Sequence, residues 1–236
     1  MRLNKFVSQS GVCSRREADQ WIDAGRVSVN GAVAVLGTQV EEGDVVTVDG
    51  KEVGEKRRAV YIALNKPVGI TCTTEKHIKG NIIDFVGHRE RIFPIGRLDK
   101  DSEGLILLTN QGDIVNQILR VENAHEKEYV VTVDRPIDGA FLAAMSAGVE
   151  LPELGATTLP CRLRRTGPKT FHIILTQGLN RQIRRMCAAC GYKVRRLQRI
   201  RIINVDLAGL AVGKWRDLST EELKGLVPGL DMPSAG

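Results

Sequence analysis

The sequence predicts an α+β protein in two units, and three observations carry that prediction. Residues 1–50 place two short amphipathic stretches ahead of short runs rich in β-formers. A charged, glycine-containing stretch without periodicity comes next, at 51–58. From 59 to 236, apolar runs of strand character alternate with runs of helical period. At 236 residues the chain has room for a small and a medium domain, and its 42% apolar content is that of a globular protein with a core.

In the first unit, "RLNKFVSQSG" sets Leu3, Phe6 and Val7 at helical spacing and stops at Gly11. Ser14 with Glu17 three residues on has the form of a capping box. The helix it opens buries Ala18, Trp21 and Ile22 on one side and ends at Gly25. "RVSVNGAVAV" and "GDVVTVDG" are short strands punctuated by Asn30-Gly31 and Gly43. In the second unit "AVYIALNKP" is a strand closed by Pro67, and "RIFPIG" and "GLILLTN" flank a polar loop. "GDIVNQILR" reads as a helix, "EYVVTVD" as a strand, "DGAFLAAMSAGV" as a helix and "FHIILTQ" as a strand. "NRQIRRMCAACG" is a further helix and "RIRIINVDL" a late strand.

Composition narrows the function classes. The formal charge of +6 and pI near 9.2 favour an anionic partner, with nucleic acid first. The N-terminus has no uninterrupted apolar core of a secretory signal, and no run approaches the ~18 apolar residues of a membrane span. Five scattered cysteines fit reduced thiols better than a disulfide framework, so a cytoplasmic protein is expected, without membrane association.

The polar loop, "GRLDKDSEG", holds Asp99, Asp101 and Glu103 before Gly104. These occupy the opening positions of a calcium-binding loop, but the twelfth position, which needs a bidentate acid, is Asn110, and the flanks are strand-like. A turn between strands and a catalytic carboxylate both remain open on composition. From Asn180 to Arg201 the chain carries Arg181, Arg184, Arg185, Lys193, Arg195, Arg196, Arg199 and Arg201 and no acid. Such a face lacks local ion-pair partners, and contact with phosphates is its natural use. Cys187 and Cys190 have C-x-x-C spacing but no second pair, and they lie on the apolar side of their helix, so packing is expected rather than metal. Arg15 and Arg16 open a helix in the first unit, which holds seven acids against five Lys and Arg, so any RNA binding there comes from one face. Tyr129, at the start of a strand, reads as half-buried packing; a stacking role on a base is the functional alternative.

"GRLDKDSEGLILLTNQGD", "HEKEYVV" and "QGLNRQIRRM", in this order, resemble the RsuA/RluB/RluE/RluF family of bacterial rRNA pseudouridine synthases, and most closely the RluF type. Residues 1–50 resemble the S-four-type RNA-binding module those enzymes carry. The resemblance implies a catalytic domain built on a mixed, mostly antiparallel sheet flanked by helices, acting on large-subunit rRNA and in some cases a tRNA loop. It also implies a monomer that needs neither metal nor cofactor. Asp99 matches the family's essential aspartate, which leaves Asp101 and Glu103 outside the chemistry. Tyr129 matches the tyrosine that stacks on the target uracil, and Arg184 the basic residue that pairs with the aspartate. Arg97 sits where a related arginine helps push the base out of the RNA. Arg15, Arg16, Arg97, Arg181, Arg185, Lys193, Arg195, Arg196, Arg199 and Arg201 are the expected RNA contacts. Asn180-Arg181 before Gln182, where many relatives have histidine, resembles the RluB/E/F branch and argues against a small-subunit substrate. A non-catalytic RNA-binding protein in ribosome assembly is the competing reading, and it has no use for Asp99.

Overall fold

The computed structural model describes residues 1–54, 58–75, 77–119 and 125–227. The N-terminal unit consists of helices α1 (Leu3–Gln9) and α2 (Arg15–Asp23) and strands β1 (Val27–Val29), β2 (Ala32–Val33), β3 (Val46–Val48) and β4 (Lys51–Glu52). The strands form one antiparallel sheet in the order β2-β1-β3-β4. The Ser14 hydroxyl accepts from the Glu17 N–H, and the Glu17 carboxylate accepts from the Ser14 N–H, so the capping box is formed. Leu3, Val7, Ala18 and Ile22 pack with Val27, Val46 and Val48 into one core. Trp21, expected to be buried, is only half-buried; its ring carries the Arg26 guanidinium 4.8 Å from its centre, a cation–π contact that keeps one side near water. Lys51 and Glu52, expected in the linker, pair with Val48 and Thr47 instead. Glu55, Lys56 and Arg57 of that stretch lie outside the described residues, as do Arg120 of the expected helix and 228–236.

The second unit runs β5 (Tyr61–Lys66), α3 (Ile82–Val86), β6 (Phe93–Ile95), β7 (Glu103–Thr109), α4 (Asp113–Leu119), β8 (Lys127–Val133) and α5 (Gly139–Ala147). A short antiparallel pair follows, β9 (Glu150–Leu151) and β10 (Ala156–Thr157), then β11 (Arg162–Arg165), β12 (Thr170–Leu175) and α6 (Gln182–Ala189). The chain closes with β13 (Val194–Ile202), β14 (Val205–Asp206), β15 (Trp215–Asp217) and α7 (Thr220–Leu226). The nine-stranded sheet is ordered β11-β12-β8-β13-β7-β5-β15, with β6 added to β7 and β14 to β13. Only β13 and β7 run parallel among the described strands, so the sheet is mixed and mostly antiparallel, as expected.

Burial follows from the two-residue period of the central strands. Tyr61 and Ala63 of β5 and Leu105 and Leu107 of β7 face α4 and α7, burying Ile114, Ile118, Leu223 and Leu226. The alternate residues, Ile62, Leu64, Ile106 and Leu108, face α3 and bury Ile82 and Val86. Across the sheet, α5 and α6 lay Phe141, Met145, Ile183, Met186 and Cys187 on Val131, Phe171, Ile173 and Leu197. Cys187 and Cys190 are packing residues, as expected, and burial pushes the Cys187 thiol up to about 12.

Strand β13 begins at Val194, five residues ahead of the expected late strand, with register shifts against β8 at Arg195 and Ile200. Its arginines hide the buried Leu197 and Ile202 in sequence, and the register shift between them breaks the two-residue period. Helix α7 opens on Ser219 and Glu222 with the same capping box as α2, a signal the sequence does carry. The units touch at polar points: Lys5 Nζ lies 2.7 Å from Asp113 Oδ1, and Arg91 donates to the Cys13 carbonyl at 3.0 Å.

Candidate active site

The loop from β6 to β7 is shaped by two glycines with positive φ. Gly96 (φ 77°) turns the chain out of β6, and Gly104 (φ 105°) lets β7 lie against β13 so closely that a Cβ would sit 2.2 Å from the Arg199 carbonyl oxygen. Ser102 N–H donates to the Asp99 carbonyl at 3.0 Å, closing a turn inside the loop. From the far side, Gly69 N–H donates to the Lys100 carbonyl at 2.7 Å. The turn carrying Gly69 is itself held by Lys66, a fully buried lysine whose ammonium donates to the Pro67 and Ile70 carbonyls at 2.9 and 3.0 Å. Burial holds the Lys66 ammonium below its ordinary range.

This loop forms one wall of a cleft of about 480 Å³, with Asp99 on the wall. Tyr129, from the start of β8, lines the same cleft, and so do Arg97, Arg181 and Arg199. Leu98, Ile183 and Leu197 supply apolar lining, which suits a flat ring. Arg181 NH1 stands 3.6 Å from Asp99 Oδ2, an ion-pair contact longer than a hydrogen bond. The carboxylate is one-third exposed. Arg184 sits behind the loop and reaches Asp101, not Asp99: its Nε is 3.4 Å from Asp101 Oδ2, and its NH2 donates to the Asp101 carbonyl and the buried Ser102 hydroxyl. The arrangement offers a carboxylate, a ring to stack on and a cation at the carboxylate's edge.

Residues 60–189 match the RNA pseudouridylate synthase family, and residues 1–46 match the S4 domain. Dual-specificity RNA pseudouridine synthase RluF of Escherichia coli (strain K12) is 58% identical over 225 residues, covering 94% of this chain and 77% of its own. This chain belongs to the RNA pseudouridylate synthase family. Ribosomal large subunit pseudouridine synthase B of Bacillus subtilis (strain 168) is 35% identical over 233 residues, spanning 95% of both chains. A crystal structure of a pseudouridylate synthase superposes on 96% of this chain and 100% of its own with a TM-score of 0.72 and 29% identity. The chain is therefore an RNA-modifying enzyme with an N-terminal S4 domain, and RNA is its partner. No helix among the described residues is long and apolar enough to cross a membrane.

The synthase fold sorts the predicted residues into two groups. Asp99, Tyr129, Arg97, Arg181 and Arg199 meet at the cleft. Arg15 and Arg16 stand exposed on the first turn of α2, and Lys193 and Arg195 are exposed outside the cleft. The expected Arg184–Asp99 pair is replaced by Arg184–Asp101, because the Ser102 hydroxyl and Asp101 carbonyl fix the guanidinium on the far side of the loop. The premise of an acid-free basic face also needs correction. Arg185 pairs with Glu153 at 2.8 Å, Arg196 with Glu103, and Arg201 with Glu126 and Glu128 at 3.1 Å, all acids from distant segments. Arg199, expected on RNA, is 4% exposed and donates to the Leu105 carbonyl at 2.7 Å.

Two cleft residues, Lys127 and Gln182, had no role assigned from sequence. Lys127 is two residues before Tyr129 on β8, so period two alone puts them on one face; burial, then Arg199, hold its ammonium below the ordinary range. Gln182 is buried, accepts from the Leu179 N–H at 3.0 Å and shapes the turn into α6. Asp101, left outside the chemistry by the resemblance, binds Arg181, the arginine beside Asp99, and also Arg184 behind the loop. Arg181 holds the Asp101 carboxyl below the usual range.

Proposed function

We propose that this synthase converts a specific uridine of large-subunit (23S) rRNA to pseudouridine in the cytoplasm, acts on a tRNA loop as well, and works as a monomer. Asp99 is the group that acts at the sugar. In this reading residues 1–50, extended by the Lys51–Glu52 strand, form the RNA-binding module, 53–58 the linker and 59–236 the catalytic domain. The observation that carries it is the Asp99 carboxylate on the cleft wall, with one arginine at 3.6 Å, in the chamber that Tyr129 lines. Relatives at 58% and 35% identity, a dual-specificity RNA synthase and a large-subunit synthase, support the substrate class.

The chemistry suits these residues. The target nucleotide leaves its stack at a cost of about a few kcal/mol and places its uracil in the cleft, where Tyr129 offers a ring face. Arg97, exposed at the cleft, is placed to fill the space the base vacates. An ionised Asp99 attacks the sugar or takes a proton from it, and the bond from ribose to ring nitrogen breaks. The uracil turns and bonds to the sugar through carbon 5 as the Asp99–sugar bond breaks or the abstracted proton returns to the sugar; carbon 5 then loses its proton and the freed nitrogen gains one. The loss of that proton gives the test. With uridine tritiated at carbon 5, Asp99→Asn should bind RNA within a few-fold of the parent and release no tritium. Tritium release by the variant would remove Asp99 from the chemistry.

A further inference from the structure

Arg181 is an unfavourable residue at its position by every local criterion. It is the N-cap of α6, where a short oxygen-bearing side chain would satisfy the free N–H groups, and it makes no side-chain cap bond. It puts a cation at the positive end of a helix. Its backbone lies in the left-handed region (φ 50°, ψ 33°), which side chains other than glycine adopt rarely. What offsets these costs comes from 80 residues away: NH1 and NH2 donate to the two Asp101 carboxylate oxygens at 2.9 and 2.8 Å, the bidentate geometry of the strongest arginine pairs. Asp101 engages Arg184 as well, at 3.4 Å from Nε and through its own carbonyl at 2.8 Å.

We propose that Asp101 is a positioning residue that holds Arg181 back from Asp99, so that the catalytic carboxylate keeps a counter-cation at its edge but not a two-pronged partner. A guanidinium free to choose would pair bidentately with either carboxylate of the loop. Paired with Asp99, it would occupy both oxygens and stand between the carboxylate and the sugar. Held on Asp101, it stands 3.6 Å from an Asp99 oxygen, beyond hydrogen-bond distance. Asp101 touches no reacting atom in this scheme and acts through Arg181. The proposal rests on the reading of Asp99 as the group that acts at the sugar.

The test is single-turnover kinetics at saturating substrate RNA, with RNA affinity measured separately, on Asp101→Asn, Arg181→Gln and the double variant. Asp101→Asn should slow the isomerisation about tenfold or more with RNA affinity within about threefold, because only the transition-state step is affected. Arg181→Gln should slow it less. The double variant should return to the Arg181→Gln rate, since the arginine that blocks Asp99 is gone; a purely structural role for Asp101 would not be relieved by a second substitution. Asp101→Glu, which keeps the charge and the fork, should stay within about threefold of the parent, and it carries the comparison if Asp101→Asn melts too low to assay. An unchanged Asp101→Asn rate, additive losses in the double variant, or a loss confined to RNA binding overturns the proposal. Asp99→Asn run alongside separates the two readings: activity in that variant sinks the assignment of Asp99, whatever Asp101 does.

Discussion

Arg181, Arg184 and Arg199 come to the loop and cleft around Asp99, whereas Arg201, from the same acid-free run of sequence, binds acids outside them. On the cleft side the partners are scarce and shared. Asp101 serves two arginines, and Arg199 spends its donors on the Leu105 and Arg97 carbonyls, with one terminal nitrogen buried and unpaired. Outside the cleft the partners are ample: Arg201 reaches Glu126 and Glu128, and Glu128 also accepts from His172 at 3.0 Å. The difference teaches that a run of cations has no single role. Charge that is fully matched stabilises a surface, while charge that is under-matched beside a carboxylate is held for chemistry.

The contact that builds the cleft side is also its most fragile point. Gly104→Ala would drive a Cβ into the Arg199 backbone at a φ only glycine tolerates. A loss of about 4 kcal/mol or more is expected. In a thermal melt this reads as a Tm lower by roughly 10 °C, and a parent-like melt would mean that β7 and β13 are not pressed together here. Next in size is Arg199→Met, which removes the buried donor to Leu105 and should cost about 1–3 kcal/mol in denaturant unfolding. A neutral result would place Arg199 on the surface, with the RNA contacts, and erase the contrast.

The outer group should respond weakly and with pH. Burial raises the Glu128 carboxyl, but hydrogen bonds from His172 and Arg201 outweigh it and hold the group below its ordinary 4.5. A carboxyl depressed in the folded state adds stability above its unfolded value and loses it as pH falls through the folded one, so this contribution disappears below pH 4.5. Arg201→Gln should cost about 1 kcal/mol or less at pH 7 and flatten the decline in Tm between about pH 5 and 3. Melts of parent and variant that stay parallel across that range would show the pair to be inert.

Much of the fold is legible because its signals are local. Ser14 and Glu17 announce α2, the period of "YIALNK" and "GLILLT" announces the two central strands, and Asp138 caps the helix expected after it. The elements that escaped notice are short or masked by charge. Helix α3 has five residues, β15 has three, and β11 reads "RLRR", so strand character shows only when β12 lies beside it. The site was legible in part. Family resemblance singled out Asp99 and Tyr129, and both line the cleft; the geometry of the arginines around them was not available from spacing.

By itself, then, the sequence determined where helices and strands start, which family the chain resembles and which carboxylate to suspect, because capping, periodicity and motif are properties of neighbours along the chain. Only the tertiary structure decided which arginine meets which acid. Asp101 and Arg181 are 80 positions apart, Asp101 and Arg184 83, and Glu103 and Arg196 93. An ion pair depends on distance in space, and that distance exists only once β7, β13 and α6 have packed together.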